Sequence, residues 1–351
     1  AKCHNHPFDH WTQDDYYSWA ALFARVDYEI VDENKKRDKL DKHEFVGDQI
    51  VTMKADGEVK NARTGNDAPP RFLTTLSTSI DRDGDRLQQL ADWLASADNR
   101  RFAEAQVNRI WYHLMGRGLV DPVDDFRVTN PPSHPELLES LTDELIHSGF
   151  DVRRVIRMIM QSNVYQLRSL PGEASEIERA NYAGCVVRRL TAEQMLDAQC
   201  QLMGVVPTFN GYSPGMRAGQ IPGVRRVRLR EKPPSSDDRF LTLFGKPERL
   251  MACECERSDS TTLSQALFLI SDESVNDRLQ HPDSSIAQLV SSSLTNAELI
   301  DEMYWSALSR PASPVEMAHH LTRLGTLGDR REYCQDLAWA LMNSKEFVFR
   351  Y

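Results

Sequence analysis

Apolar positions recur at helical spacing over most of this chain, and one stretch near its start alternates instead. In "TQDDYYSWAALFARV", Thr12 is placed to cap a helix whose first turn is acidic at Asp14 and Asp15. Tyr16, Trp19, Ala20 and Phe23 then share one face, which predicts a helix over 12–26. The charged run 32–44 reads as a solvated surface segment. "QIVTMKADGEVKNARTG" changes period and predicts a small β-hairpin: a strand from Ile50 to Lys54, a turn at Asp56-Gly57 and a return through Val59. Pro69-Pro70 closes this N-terminal piece.

Beyond it the pattern is helical almost throughout. Ser133 with Glu136, Thr191 with Gln194, Thr262 with Gln265, Thr295 with Glu298 and Ser313 with Glu316 each precede apolar periodicity with capping-box spacing. In such a box the hydroxyl accepts from the third helical amide while the longer side chain reaches back to the cap. Gly116 and Gly149 stand where helices end. Residues 100–115 are expected to bury Ala103, Val107, Ile110 and Leu114, and 152–162 to present Val155, Ile156 and Ile159. Helices over 314–325 and 331–344 close the chain. The stretch 205–240, rich in Gly, Pro, Ser and Arg, reads as an irregular excursion. The fold class is mainly α: a multi-helical protein with a small β-hairpin near the N-terminus.

Composition narrows the function. With 351 residues the chain is long enough for two domains, and 40% apolar content can fill real cores. No run of about 18 apolar residues is present, so no membrane span is expected, and no signal peptide is visible. A net charge of −10 argues against nucleic acid as a partner, because phosphate binding needs a basic face. Six cysteines are too few for a disulfide scaffold.

The chemistry that remains is sparse. "AKCHNHPFDHW" joins Cys3 to His4 and follows with His6 and His10. Attachment of a c-type haem needs two thiols and an adjacent axial His, Cys-x-x-Cys-His, and Cys3-His4 is its second half. The first thiol would fall one place before Ala1. His4, His6 and His10 with Cys3 could alternatively hold Zn or Cu. Cys253 and Cys255 flank one glutamate and could chelate a soft metal, form a disulfide or stay as structural thiols; no His lies within 25 residues of them to act as a base. "DRDGD" at 81–85 lacks the Gly and Glu positions of a calcium loop and reads as an acidic helix start. "VRRVRLR" at 224–230 sets Arg226, Arg228 and Arg230 on one side of an extended segment, suited to a carboxylate or sulfate or simply solvated. His113 shares a helix face with Arg109 and is a candidate distal haem ligand. No serine-hydrolase elbow, phosphate loop or dinucleotide fingerprint occurs.

Several stretches together resemble a pair of linked domains found in planctomycetes. "KCHNHPFDHWTQDDYYSWAALFARV" resembles the C-terminal end of the domain of unknown function numbered fifteen-forty-nine. "LADWLASADNRRFAEAQVNRIWYHLMGRGLVDPVDDFRVTNPPSHPELLESL", "RRLTAEQMLDAQCQLMG", "FGKPERLMACECERSDSTTLSQALFLI" and "ALSRPASPVEMAHHL" resemble its partner, fifteen-fifty-three. The resemblance implies that 1–70 is the end of the first domain and 71–351 the second. It also implies a periplasmic or extracellular location and an upstream cytochrome-like domain as redox partner. The first function expected is therefore electron transfer by a haem-c-associated protein, linked to polysaccharide breakdown. Two other classes stay open: a non-catalytic envelope module meeting glycans or partner subunits, and a metal-dependent enzyme built on His4, His6 and His10.

Overall fold

The computed structural model describes residues 2–7, 9–30, 49–73, 80–170, 174–210, 212–221, 234–247, 262–271 and 273–350. It is mainly α, as the periodicity predicts, and divides into two compact units, Ala1–Val186 and Val187–Tyr351. Among the described residues no helix is long and apolar enough to cross a membrane. The charged run 32–44, the arginines of 224–230 and the pair Cys253 and Cys255 lie outside the described residues.

The N-terminal unit begins with α1 (Gln13–Ala20), capped by Thr12 and Asp15 in a reciprocal box. The helix is shorter than the expected 12–26. It tightens into a 3-10 turn at Ala21–Phe23, and Val26–Ile30 form strand β1. "VDYEI" alternates strictly, a strand signal that continuous helical reading overrode. β1 pairs antiparallel with β2 (Gln49–Met53), Val26 opposite Met53 and Ile30 opposite Gln49. A hairpin is therefore present, but the expected strand over 50–54 pairs with the chain before it, not with a return through Val59. After β2 the Lys54 amide donates to the Arg25 carbonyl at 2.8 Å. Gly57, at φ +153°, passes so close to Ala24 that a Cβ would stand 2.7 Å from the Ala24 oxygen. Val59 instead accepts from the Ala68 amide further on.

Helix α2 (Arg86–Leu94) starts where the acidic segment ends, with Asp85 accepting from the amides of Leu87 and Gln88. Then come α3 (Arg100–Met115), α4 (Pro135–His147), α5 (Val152–Gln161) and α6 (Glu176–Ala180). α3, α4 and α5 pack on one another around Ala103, Val107, Trp111, Leu141, Leu145, Val155 and Ile159. Each Val, Leu or Ile side chain among them contributes roughly 1.5–3 kcal/mol on burial. Ile110 and Leu114 pack at the edge of this core. Gly116 and Gly149 adopt φ +92° and +68° and let α3 and α4 end in the left-handed region. The box expected at Ser133 is absent: Pro135 opens α4, His134 takes the cap position without a side-chain bond, and the Ser133 hydroxyl donates to the Leu119 carbonyl. Proline supplies no amide at the first position and already has helical φ, so α4 starts one residue later than a Ser133 cap requires.

The C-terminal unit holds a two-residue ribbon, β3 (Arg188–Arg189) with β4 (Phe349–Arg350). Among the described residues its α-helices are α7 (Ala192–Met203), α8 (Ser236–Leu243), α9 (Leu263–Ser271), α10 (Glu273–Gln280), α11 (Ser285–Ser291), α12 (Asn296–Leu308), α13 (Pro314–Leu327), α14 (Arg330–Met342) and α15 (Lys345–Val348). The other four expected boxes cap α7, α9, α12 and α13. The expected excursion ends early, because Ser235 and Asp238 close a further box and start α8. A buried and a half-buried carboxylate satisfy the irregular backbone that precedes it. Asp237 accepts from the Thr208 amide at 2.7 Å and pairs with Arg278; Asp197 accepts from the amides of Ala218 and Gly219 at 2.7 and 3.0 Å.

Candidate functional site

Residues 2–7 lie back across the start of α1. The Lys2 carbonyl accepts from Gln13 Nε2 at 2.9 Å and from the Tyr17 hydroxyl at 3.4 Å. The Asn5 side-chain oxygen accepts from the Gln13 amide at 2.9 Å, satisfying one of the donors a helix start leaves open. The His6 amide donates to the Trp11 carbonyl at 2.8 Å. α1 is itself tied down: Asp14 accepts from Asn61 at 2.7 Å and pairs with Arg63, and Asp15 pairs with Arg71. The Asn61 hydrogen bond, with Arg63 behind it, holds the Asp14 carboxyl below its ordinary pKa. The Cys-His segment therefore has an anchored base although its own side chains from Lys2 to His6 are exposed.

Two of its imidazoles are oriented. His4 Nδ1 lies 2.7 Å from the Asn5 carbonyl, and His10 Nδ1 lies 2.6 Å from the Asp9 carboxylate. A carbonyl only accepts, so His4 carries its proton on Nδ1 and its lone pair on Nε2, the nitrogen that a metal takes when the other is pinned this way. The His10 ring stacks at 4.2 Å on Trp11, tilted by 38°. The His10 amide, ahead of the ring, keeps the Asp9 pKa below its usual value. Cys3 is a free, exposed thiol beside His4.

The structure does not gather the other expected ligands around this pair. His113 occupies the exposed side of the last turn of α3. Among the described residues, no three His, Cys, Asp or Glu side chains converge as a metal site requires, so His4, His6 and His10 do not form one set and His113 does not complete one with Cys3 and His4. The donors present fit one thioether and one axial imidazole; Cys253 and Cys255 lie outside the described residues.

Three further thiols are described. Cys185 is half-buried with Sγ 3.4 Å from the Tyr165 carbonyl. Burial, opposed by Arg278, pushes the Cys200 thiol up to about 12, and burial raises Cys334 to about 11. Neither presents a thiolate at neutral pH, which removes them as nucleophiles. Among the described thiols, alkylation by iodoacetamide at pH 8 is therefore expected to modify Cys3 first and to leave Cys200 and Cys334 unmodified until denaturant is added. Peptide mass spectrometry reads this directly, and prompt native-state labelling of Cys200 would contradict it.

A second polar cluster escaped sequence reasoning. His320 bridges Tyr304 and Tyr333, which stand on three different helices. The doublet His319-His320 was visible in the sequence, but nothing in local spacing joins it to either phenol.

Comparison with known families bears out the resemblance. PSCyt2, a protein of unknown function (DUF1549), matches residues 1–28, the stretch holding the Cys-His segment and α1. PSD1, a protein of unknown function (DUF1553), matches residues 85–324. No curated protein and no solved structure matches the chain. With that match running from α2 to α13, through the helices of both compact units, the chain belongs to the PSD1 family of proteins of unknown function (DUF1553).

Proposed function

We propose that this protein acts in electron transfer outside the cytoplasm, with the Cys3-His4 segment as the attachment point of a c-type haem. His4 carries the reading: its Nδ1 is pinned by the Asn5 carbonyl, which leaves Nε2 to ligate iron, and it directly follows a free, exposed thiol. When bound, the haem would supply one-electron exchange. Cys3 would hold it by a thioether, and His4 would ligate its iron. The folded-back segment fixes both residues to α1 through Lys2, Asn5, Gln13 and Tyr17, so the attachment point would move with the N-terminal unit.

The test is production of the chain, with a cysteine at the position before Ala1, alongside a cytochrome-c maturation system. Covalent haem that survives denaturing electrophoresis and a Soret band are expected. Cys3→Ser is expected to abolish attachment through this thiol, while His4→Ala keeps covalent haem but changes the axial-ligand spectrum. Folded protein, judged by circular dichroism, that carries no haem would overturn the reading. Stoichiometric Zn or Cu in the same protein would favour the metal-enzyme alternative.

A further inference from the structure

In the C-terminal unit His320, on α13, lies between two phenols. Its Nε2 is 2.8 Å from the Tyr304 hydroxyl on α12, and its Nδ1 is 2.6 Å from the Tyr333 hydroxyl on α14. Both tyrosines are buried, at 4% and 3% exposure. A neutral imidazole has one N–H and one lone pair, so it donates to one phenol and accepts from the other. One tyrosine proton therefore already points at a base within transfer distance; the phenols are buried and the imidazole between them is half-buried.

The surroundings are charged and oxidisable. Arg310 lies 5.3 Å from the centroid of the Tyr304 ring and is held by Glu316 and Glu346 through paired hydrogen bonds of 2.7–3.0 Å. His319 packs against His320 at 5.5 Å. Burial first, then His319 and Arg323, lower the His320 pKa, and Glu316 opposes them. The imidazole is thus neutral at pH 7 and its lone pair is available. A phenol that loses an electron becomes a far stronger acid, so the electron leaves most readily when the proton can pass to the imidazole in the same step. Met203, Met303, Cys334 and Met342 share the same core, with Trp339 packed against it.

We propose that Tyr304, His320 and Tyr333 form a redox-active tyrosine site that traps an oxidising equivalent. A one-electron oxidant, such as a peroxide-derived radical or an oxidised metal centre, takes one electron from the phenol that donates to His320. Its O–H bond breaks and the proton moves to the lone-pair nitrogen. The products are a neutral tyrosyl radical, an imidazolium and the one-electron-reduced oxidant; a one-electron donor reverses the step. The site stands on its own geometry, whether or not Cys3 carries haem.

The experiment uses the full chain oxidised with hexachloroiridate(IV), freeze-quenched and read by electron paramagnetic resonance. Wild type is expected to give a neutral tyrosyl signal that forms more slowly in D2O. The signal disappears in the double variant Tyr304→Phe/Tyr333→Phe, and His320→Gln forms it about tenfold more slowly. A radical that persists in the double variant, or forms equally fast in His320→Gln, overturns the proposal. If His320→Gln fails to fold, the wild type decides alone: no tyrosyl signal, or a rate unchanged in D2O, leaves the triad as a structural tie only.

Discussion

Asn108→Ala is expected to lower the stability of the N-terminal unit by about 4 kcal/mol, since each buried polar group left without a partner costs roughly 1–3 kcal/mol. Asn108 is fully buried on α3. Its Nδ2 donates to the carbonyls of Val120 and Val123 at 2.9 and 2.8 Å, and its Oδ1 accepts from the Val120 amide at 2.9 Å. One side chain thus closes the hydrogen bonding of the loop that follows α3. The fit is close on the other side too: a Cβ on Gly118 would stand 2.3 Å from the Val120 oxygen and 3.1 Å from the Asn108 amide group. Asn108→Asp keeps the acceptor for Val120 but turns a buried charge toward two carbonyl oxygens, so it is expected to be no better than alanine. Urea unfolding should show the midpoint falling at unchanged slope. A loss within about 0.5 kcal/mol, typical of surface positions, would mean the loop finds other partners.

That example marks where sequence reading stops. On the helical pattern Asn108 is one more polar residue between Val107 and Arg109, and its importance comes from a loop folded back onto it. What is local was legible. Thr191, Thr262, Thr295 and Ser313 cap helices as their spacing requires, because the box is a contact between residues three apart. Ser133 has the same spacing and fails, since the proline two residues on sets the start of α4 and the Leu119 carbonyl competes for the hydroxyl. β2 was legible as a strand, but its partner was not, because pairing depends on the path of the chain rather than on its period.

The candidate site divides in the same way. Cys3 beside His4 was readable because attachment chemistry needs adjacent residues. The carbonyl that sets the His4 tautomer belongs to the very next residue, yet that contact depends on backbone shape and no motif announces it. His113 looked available on helical spacing, but among the described residues no three such side chains converge as a metal site. Tyr304, His320 and Tyr333 are 13 to 16 positions apart at each bond, and only the packing of three helices makes them neighbours.

Glu58→Ala is expected to cost about 3 kcal/mol, the low end for removing one partner of a buried ion pair. The Arg86 side chain has 0% exposure, whereas Glu58 retains 37%. Arg86 opens α2 and reaches back to the carbonyls of Ala21 at 2.9 Å and Arg82 at 3.3 Å, and among the described residues Glu58 is the carboxylate paired with it. Removing Glu58 leaves the guanidinium in the interior among neutral acceptors. Removing Arg86 instead leaves a carboxylate that water already reaches. The asymmetry makes a double-mutant cycle decisive: adding Arg86→Met to Glu58→Ala takes the stranded charge away, so the double variant is expected to be more stable than the sum of the two single losses by about 1–3 kcal/mol. Additivity within about 0.5 kcal/mol would show that the carbonyls alone hold the guanidinium. The coupling matters for the Cys-His segment, because Ala21 directly follows α1, the helix on which that segment is anchored, and Arg86 ties it to α2.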